Sequence, residues 1–431
     1  MEFKFVLGKS GKPKTEYCVN EMLKLPKTKK AVYIVPEQFT LESERILTRR
    51  RKSLLNIDVV SFRRLYFHIT AQVGKPNKEF LDDEGKNMIL RRLLEELKPR
   101  FFSRSQGKPG FLDSLESIIG EFYRFRLTPD MLKENIKKIE ETPENADFIK
   151  KISEIAEIYS AYDSFTSEKY ISSDGILDFT AAKIKETALF ENCDVFIDGF
   201  NSFTAQEYAV ISEIFAYADN VTITLCLEKP VDNFSGDVLS DPFYETKNAY
   251  VKLCGIYKEL YPVEGNIKNI ITESKEKPLP ALDFLEKNFF EFNVPVYGET
   301  EEVRAVSAVN KKAEVSVVCR EICRLVKEGI RYKDIGIILC DPSYAPILKA
   351  ELKNRDIPDF SDSRAPLISH PLSRFILSLI NIAAYTYKTQ DVFTFLKTGF
   401  TSIEPYKVDG LEKYALEYGI TDYKWETEIK N

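Results

Sequence analysis

The stretch FVLGKSGKPKTEYC, residues 5–18, constrains the chain more than any other, because a short apolar run breaks at a glycine and gives way to Lys14 and Thr15. Where a strand passes into a helix through such a loop, backbone N–H groups cradle a phosphate, the lysine neutralises it and the hydroxyl holds Mg2+. The spacing G-x-x-x-x-G-K-[ST] puts Gly8, Lys14 and Thr15 in register, with Gly11 inside the loop. Pro13 occupies the second glycine position; it has no N–H to offer and a φ held at about −65°. ATP and Mg2+ are thus the expected ligands, with one donor missing. An ordinary strand-to-helix turn carrying a surface lysine is the alternative.

The pattern downstream is α/β. Residues 31–35, AVYIV, have the β-branched character of a buried parallel strand and end in PEQFT. That leaves residues 37–40 at a strand's carboxyl end, where open α/β sheets place ligands. The cluster Arg49, Arg50, Arg51 and Lys52 reads as a solvated helix face or as a phosphate contact. A further strand over 57–62 runs into RRLYFHI, where Phe62, Arg63, Arg64, Tyr66, Phe67 and His68 interleave rings with cations. Single-stranded nucleic acid is held by such sets, and an amphipathic helix with its rings in the core fits equally.

From about residue 77 to 169 the periodicity becomes helical, in 87–97, 111–125 and 148–165, with a break over 103–110. Strand character returns at CDVFIDGFNSF, which places Asp198 where P-loop ATPases carry their magnesium-ligating aspartate. Gly199 follows, where helicases carry the glutamate that activates water, so slow or absent hydrolysis is expected. VTITLCL, 221–227, completes a β-α-β unit, and 275–290 suggests a proline-entered helix after a linker. Beyond it, 303–309 and 335–340 are expected as strands around a helix over 313–329.

Composition sets bounds on function. With 431 residues, two or three domains are expected. A net charge of −6 excludes a wholly basic nucleic-acid coat but leaves room for a basic groove. The seven cysteines form no C-x-x-C, and two histidines give little material for a metal site or a catalytic triad. With no leader pattern and no apolar run of about 18 residues, a cytoplasmic chain without membrane contact is expected.

The order of FVLGKSGKPKT, VPEQFTLESERIL, VVSFRRLYF, LDDEGKNMILRRLLEEL, FIDGFNSFTAQE, VTITLCL, LEKNFF, YKDIGIILCD, ISHPL and DVFTFLKTGF resembles the AddB family, the B-type component of the AddAB-type ATP-dependent helicase/deoxyribonuclease and a relative of superfamily 1 helicases. The resemblance implies two RecA-like P-loop parallel-sheet domains, the second incomplete, with a helical insertion in the first. Residues 1–76 and 181–298 would form the first domain and a linker, 77–180 the insertion, and 299–431 the start of the second. It implies the A-type component, AddA, as partner, single-stranded DNA as ligand, and a role in double-strand break repair. It implies a nuclease domain and an iron–sulfur cluster only in a carboxyl-terminal region outside this chain. Scanning of single strands for a regulatory Chi sequence would fall to Gln38, Thr40, Phe62, Arg64, Phe67, Phe200 and Phe203, with Gly8, Gly11, Lys14, Thr15 and Asp198 toward nucleotide. Asp341 stands where active helicases of the superfamily carry an arginine. An independently acting P-loop ATPase or DNA helicase is the alternative function.

Overall fold

The protein is described from a computed structural model covering residues 2–51, 53–105, 107–108, 110–139, 142–231, 234, 241–262, 266–273, 279–361, 367–385 and 387–426. Lys52, Gln106, Pro109 and residues 275–278, which figure in the sequence readings above, lie outside the described residues. Two compact units divide the chain, Met1–Pro278 and Leu279–Asn431.

The first unit begins with β1 (Glu2–Leu7), α1 (Lys14–Lys24), β2 (Lys30–Ile34), α2 (Thr40–Arg50), β3 (Ile57–Val60) and α3 (Phe62–Val73). An insertion follows: β4 (Glu79–Leu81), α4 (Asp83–Leu97), α5 (Phe111–Arg124), α6 (Pro129–Lys137), α7 (Ala146–Thr166) and β5 (Tyr170–Ser172). The chain then returns through α8 (Ile176–Ile184), β6 (Cys193–Ile197), α9 (Ala205–Tyr217), β7 (Asn220–Leu225), α10 (Tyr244–Leu260) and β8 (Ile267–Ile271).

Six strands form one wholly parallel sheet in the order β3-β2-β6-β7-β1-β8, with Phe3 in register with both Val221 and Ile267. Parallel strands covered on both faces need apolar residues at nearly every position, which is why all five residues of β6 are buried. Alternate side chains serve opposite layers. Phe3, Phe5, Leu7, Val32, Ile34 and Ile197 meet α3, α8, α9 and α10, while Ala31, Tyr33, Val59 and Phe196 meet α1 and α2. This is the RecA-like arrangement of a parallel sheet between helical layers.

The insertion has its own core, Leu90, Leu93, Leu94, Leu115, Ile119, Tyr159 and Tyr162 among others, and the parallel pair β4–β5 closes its neck. Buried at that neck, the Lys86 ammonium donates to Glu116 (2.9 Å), Asp174 (2.5 Å) and Ser173 (3.0 Å), and pairs with Asp83 at 3.0 Å. Burial alone would lower its pKa; the Asp174 and Glu116 carboxylates reverse that and raise it. Gln206 of α9 donates to the Asp174 carbonyl (2.6 Å) and to Asp178 (2.7 Å), which ties the neck to the sheet layer.

In the second unit α11 (Pro280–Asn288), α12 (Lys311–Lys327), α13 (Tyr344–Asn354), α14 (Pro371–Tyr385), α15 (Thr389–Leu396) and α16 (Pro405–Glu417) follow in order. α12 packs on α13 through Val315, Cys319, Ile322, Leu348 and Leu352. Residues 303–309 and 335–340, expected as strands, form no ladder, and Ile338 is 92% exposed. A strand exists through its neighbour's hydrogen bonds, and among the described residues this unit supplies no partner strand.

Candidate functional site

Because all six strands run the same way, their carboxyl ends lie on one edge, and the residues following β1, β2, β3 and β6 carry the chemistry. After β1, Gly8 packs against the end of β8; a Cβ there would collide with Thr272 Oγ1, whose backbone N–H donates to Leu7 O at 2.8 Å. Gly11 takes φ +75° with open space around it. The Lys14 ammonium folds back onto the loop and donates to the carbonyls of Gly8 (2.8 Å) and Lys9 (2.7 Å). Burial lowers its pKa, with Cys226 and Asp198 opposing. Pro13 enters α1 without a capping side chain, the Lys14 N–H is engaged by Lys12 O (2.8 Å), and Thr15 is exposed.

Asp198, buried after β6, receives hydrogen bonds on both oxygens: the Tyr33 hydroxyl donates to Oδ2 (2.7 Å) and the Thr224 hydroxyl to Oδ1 (2.5 Å). Burial and the neighbouring Asp198 charge push the Tyr33 phenol well above its usual range, so it stays a donor. Gly199 has φ +85°, and a Cβ on it would press on Pro36 Cδ at 3.3 Å. A glutamate at that position would face backbone strain and a tight contact with the Pro36 ring. At this loop one backbone donor is missing at Pro13, the Lys14 ammonium is turned onto its own loop, and Asp198 is engaged by two hydroxyls.

The neighbouring strands β3, β2 and β6 bring the other three segments together. Glu37, in the short 3-10 turn Glu37–Phe39, accepts hydrogen bonds from the Ser61 hydroxyl and from Arg64 Nε (3.1 Å). Ser61 also caps α3 by accepting the Arg64 N–H at 3.2 Å. The Phe62 ring meets Phe200 edge-on at 5.3 Å and Phe203 at 6.2 Å, and Phe200 and Phe203 lie 5.3 Å apart. PEQFT, SFRRL and DGFNSF are thereby joined into one surface.

Within it the sequence candidates divide. Phe62 and Phe203 are buried, Phe200 is half-buried, and Thr40 is buried with its hydroxyl donating to Glu37 O at 3.0 Å. Gln38, Arg64 and Phe67 are exposed, Phe67 at 60%. Two residues gain weight that sequence did not give them. Phe39 is 49% exposed on the same turn, and Glu37 is the hub of the polar contacts. Their position inside PEQFT was a signal, but only the 3-10 turn reveals which of its side chains face solvent. Arg50 of the basic cluster is turned toward α1, donating to Asn20 (2.8 Å) beside Glu16 (3.5 Å). In the second unit Asp341 accepts from Lys311 (2.7 Å) and Ser343 (2.6 Å), which hold its carboxyl below the usual range. Among the described residues no helix is long and apolar enough to cross a membrane.

The family described as "ADDB, N-terminal" matches residues 5–286. Over 99% of its length the chain is 33% identical to the B-type component of the ATP-dependent helicase/deoxyribonuclease of Acetivibrio thermocellus, of which it covers 38%. It is 32% identical over 99% of its length to the proteins of the same description from Clostridium tetani and Caldanaerobacter subterraneus, covering 38% and 37% of them. The chain therefore spans well under half of these relatives and aligns with their amino-terminal part. With a family match over most of the first unit and relatives at this identity across the whole chain, the protein belongs to the AddB family of ATP-dependent helicase/deoxyribonucleases.

Proposed function

We propose that this chain is the DNA-reading amino-terminal portion of a helicase–nuclease component in double-strand break repair, and that it scans single-stranded DNA for a regulatory sequence of the Chi kind while contributing little motor activity. The observation that carries the reading is the union of three strand ends through Glu37, Ser61, Arg64, Phe62 and Phe200. Gln38 and Arg64 supply groups that pair with base edges, and Phe67 and Phe39 supply exposed ring faces for stacking. The buried rings Phe62 and Phe203 position that surface from beneath. Gly199 against Pro36, and Asp198 held by two hydroxyls, support weak or absent nucleotide hydrolysis. A separate partner of the AddA type would supply the motor.

The test uses the purified chain with labelled single strands and ATP. Strand binding without DNA-stimulated ATP turnover is expected. Turnover of about 1 s⁻¹ or more, the low end of ordinary enzyme rates, abolished by Lys14→Ala, would establish an independent ATPase instead.

A further inference from the structure

A second charged surface lies on the insertion. The connection between α4 and α5 carries Lys98, Arg100, Arg104 and Lys108, and no carboxylate occurs from residue 98 to 112 in a chain whose net charge is −6. All four cations are exposed, and none forms an ion pair among the described residues. On the neighbouring helices Arg92 pairs with Glu96 at 2.8 Å, Lys150 with Asp147 at 3.3 Å, and Lys86 is enclosed by carboxylates, while Arg91, Arg124 and Lys151 are exposed cations separated along the chain rather than gathered in one carboxylate-free stretch.

Described parts of this loop are also held in shape. The Glu154 carboxylate of α7 accepts the N–H groups of Phe101 (2.8 and 2.9 Å) and Phe102 (3.4 Å), so its charge is directed to backbone amides rather than to the arginines. The Phe102 ring is buried against Phe111 at 5.3 Å, and turn hydrogen bonds run from Ser105 N–H to Phe102 O (2.8 Å) and from Lys108 N–H to Ser105 O (2.9 Å). A row of like charges fixed by its backbone gives up little conformational freedom on meeting a polyanion.

We propose that this loop holds the phosphate backbone of duplex DNA while the strand-end surface holds the single strand. The inference rests on the reading that the chain binds DNA. Duplex is favoured over single strand because phosphate-only contacts need cations alone, whereas holding unstacked bases needs a succession of exposed rings. Here Phe101 is the one exposed ring between Lys98 and Arg104.

The experiment titrates a labelled duplex bearing a single-stranded tail, and the tail alone, at several salt concentrations. For Arg100→Ala/Arg104→Ala, affinity for the tailed duplex should fall about tenfold and the log–log salt slope should become shallower by about 2, since each lost phosphate contact removes about one. Affinity for the tail alone should not change, and Arg100→Lys/Arg104→Lys should bind like the parent. Lys98→Ala/Lys108→Ala, on the same loop, provides an independent pair with the same expected direction. Unchanged affinity and slope on the tailed duplex in both alanine pairs would overturn the proposal while leaving the strand-end reading intact. Equal losses on tail and tailed duplex would overturn the duplex assignment. A parent chain that binds neither DNA would overturn both this inference and the reading beneath it.

Discussion

Phe62 and Phe67 stand five residues apart on α3, and truncating each should give opposite results. Phe62 is 4% exposed and packs edge-on against Phe200 and Phe203. Phe62→Ala therefore removes a buried ring and leaves a cavity, at a cost of about 3 to 5 kcal/mol, a large part of the roughly 5 to 15 kcal/mol by which domains are stable. Phe67 is 60% exposed, and its ring meets that of Tyr66 in a T-shaped contact at 5.4 Å. Phe67→Ala should thus change stability by no more than about 1 kcal/mol, the scale of one aromatic pair. If Phe67 stacks on a base, its loss removes about 1 to 3 kcal/mol of binding, roughly five- to 150-fold in Kd. Urea unfolding followed by circular dichroism measures the first quantity and fluorescence anisotropy with a labelled oligonucleotide the second. Strand affinity within twofold of the parent for a stably folded Phe67→Ala would refute the assignment of that ring to DNA. A large stability loss in the same variant would place it in the core after all.

Asp198→Ala should leave the Tyr33 and Thr224 hydroxyls without their acceptor and lower stability by about 1 to 3 kcal/mol, read by urea unfolding; unchanged stability would mean the carboxylate is not a structural acceptor. Lys86→Met should cost about 3 to 5 kcal/mol by leaving Asp174 and Glu116 uncompensated at the neck of the insertion. A thermal transition within about 2 °C of the parent would show that those carboxylates are solvated without the ammonium.

The strands β1, β2, β6 and β7 were legible because central parallel strands are nearly continuous apolar runs, and no other use of FKFVL or CDVFI is as economical. β8 was not: IKNII, paired only with β1, leaves Lys268 and Asn269 exposed and carries no such run. β4 and β5, three residues each, are too short to stand out from the helical pattern around them. The opposite error occurs at 335–340, where an apolar run alone suggested a strand that no neighbour completes. At the site, sequence located the segments but not the facing of their side chains. RRLYFHI left core and ligand readings balanced, and α3 resolves them by turning Phe62, Leu65 and Ile69 inward and Arg63, Arg64 and Phe67 outward. The phosphate-loop spacing was readable in Gly8, Lys14 and Thr15, whereas the return of Lys14 onto the carbonyls of Gly8 and Lys9 depends on torsions that no spacing encodes.

The strand order has a consequence for how the chain is made. β1 is made before the other strands of its sheet, yet both its partners, β7 and β8, lie beyond residue 219. At about 5 to 20 residues per second, some 10 to 50 s pass before either side of β1 is covered. Through that interval Phe3, Phe5, Val6 and Leu7, all fully buried in the finished sheet, belong to an unpaired apolar segment. The helical insertion is made during the same interval and has a separate core that needs nothing from β7 or β8, so it can consolidate while the sheet waits. Nascent chains arrested before residue 271 should therefore be captured by chaperones through the β1 segment, Glu2–Leu7, and release should coincide with the emergence of β8.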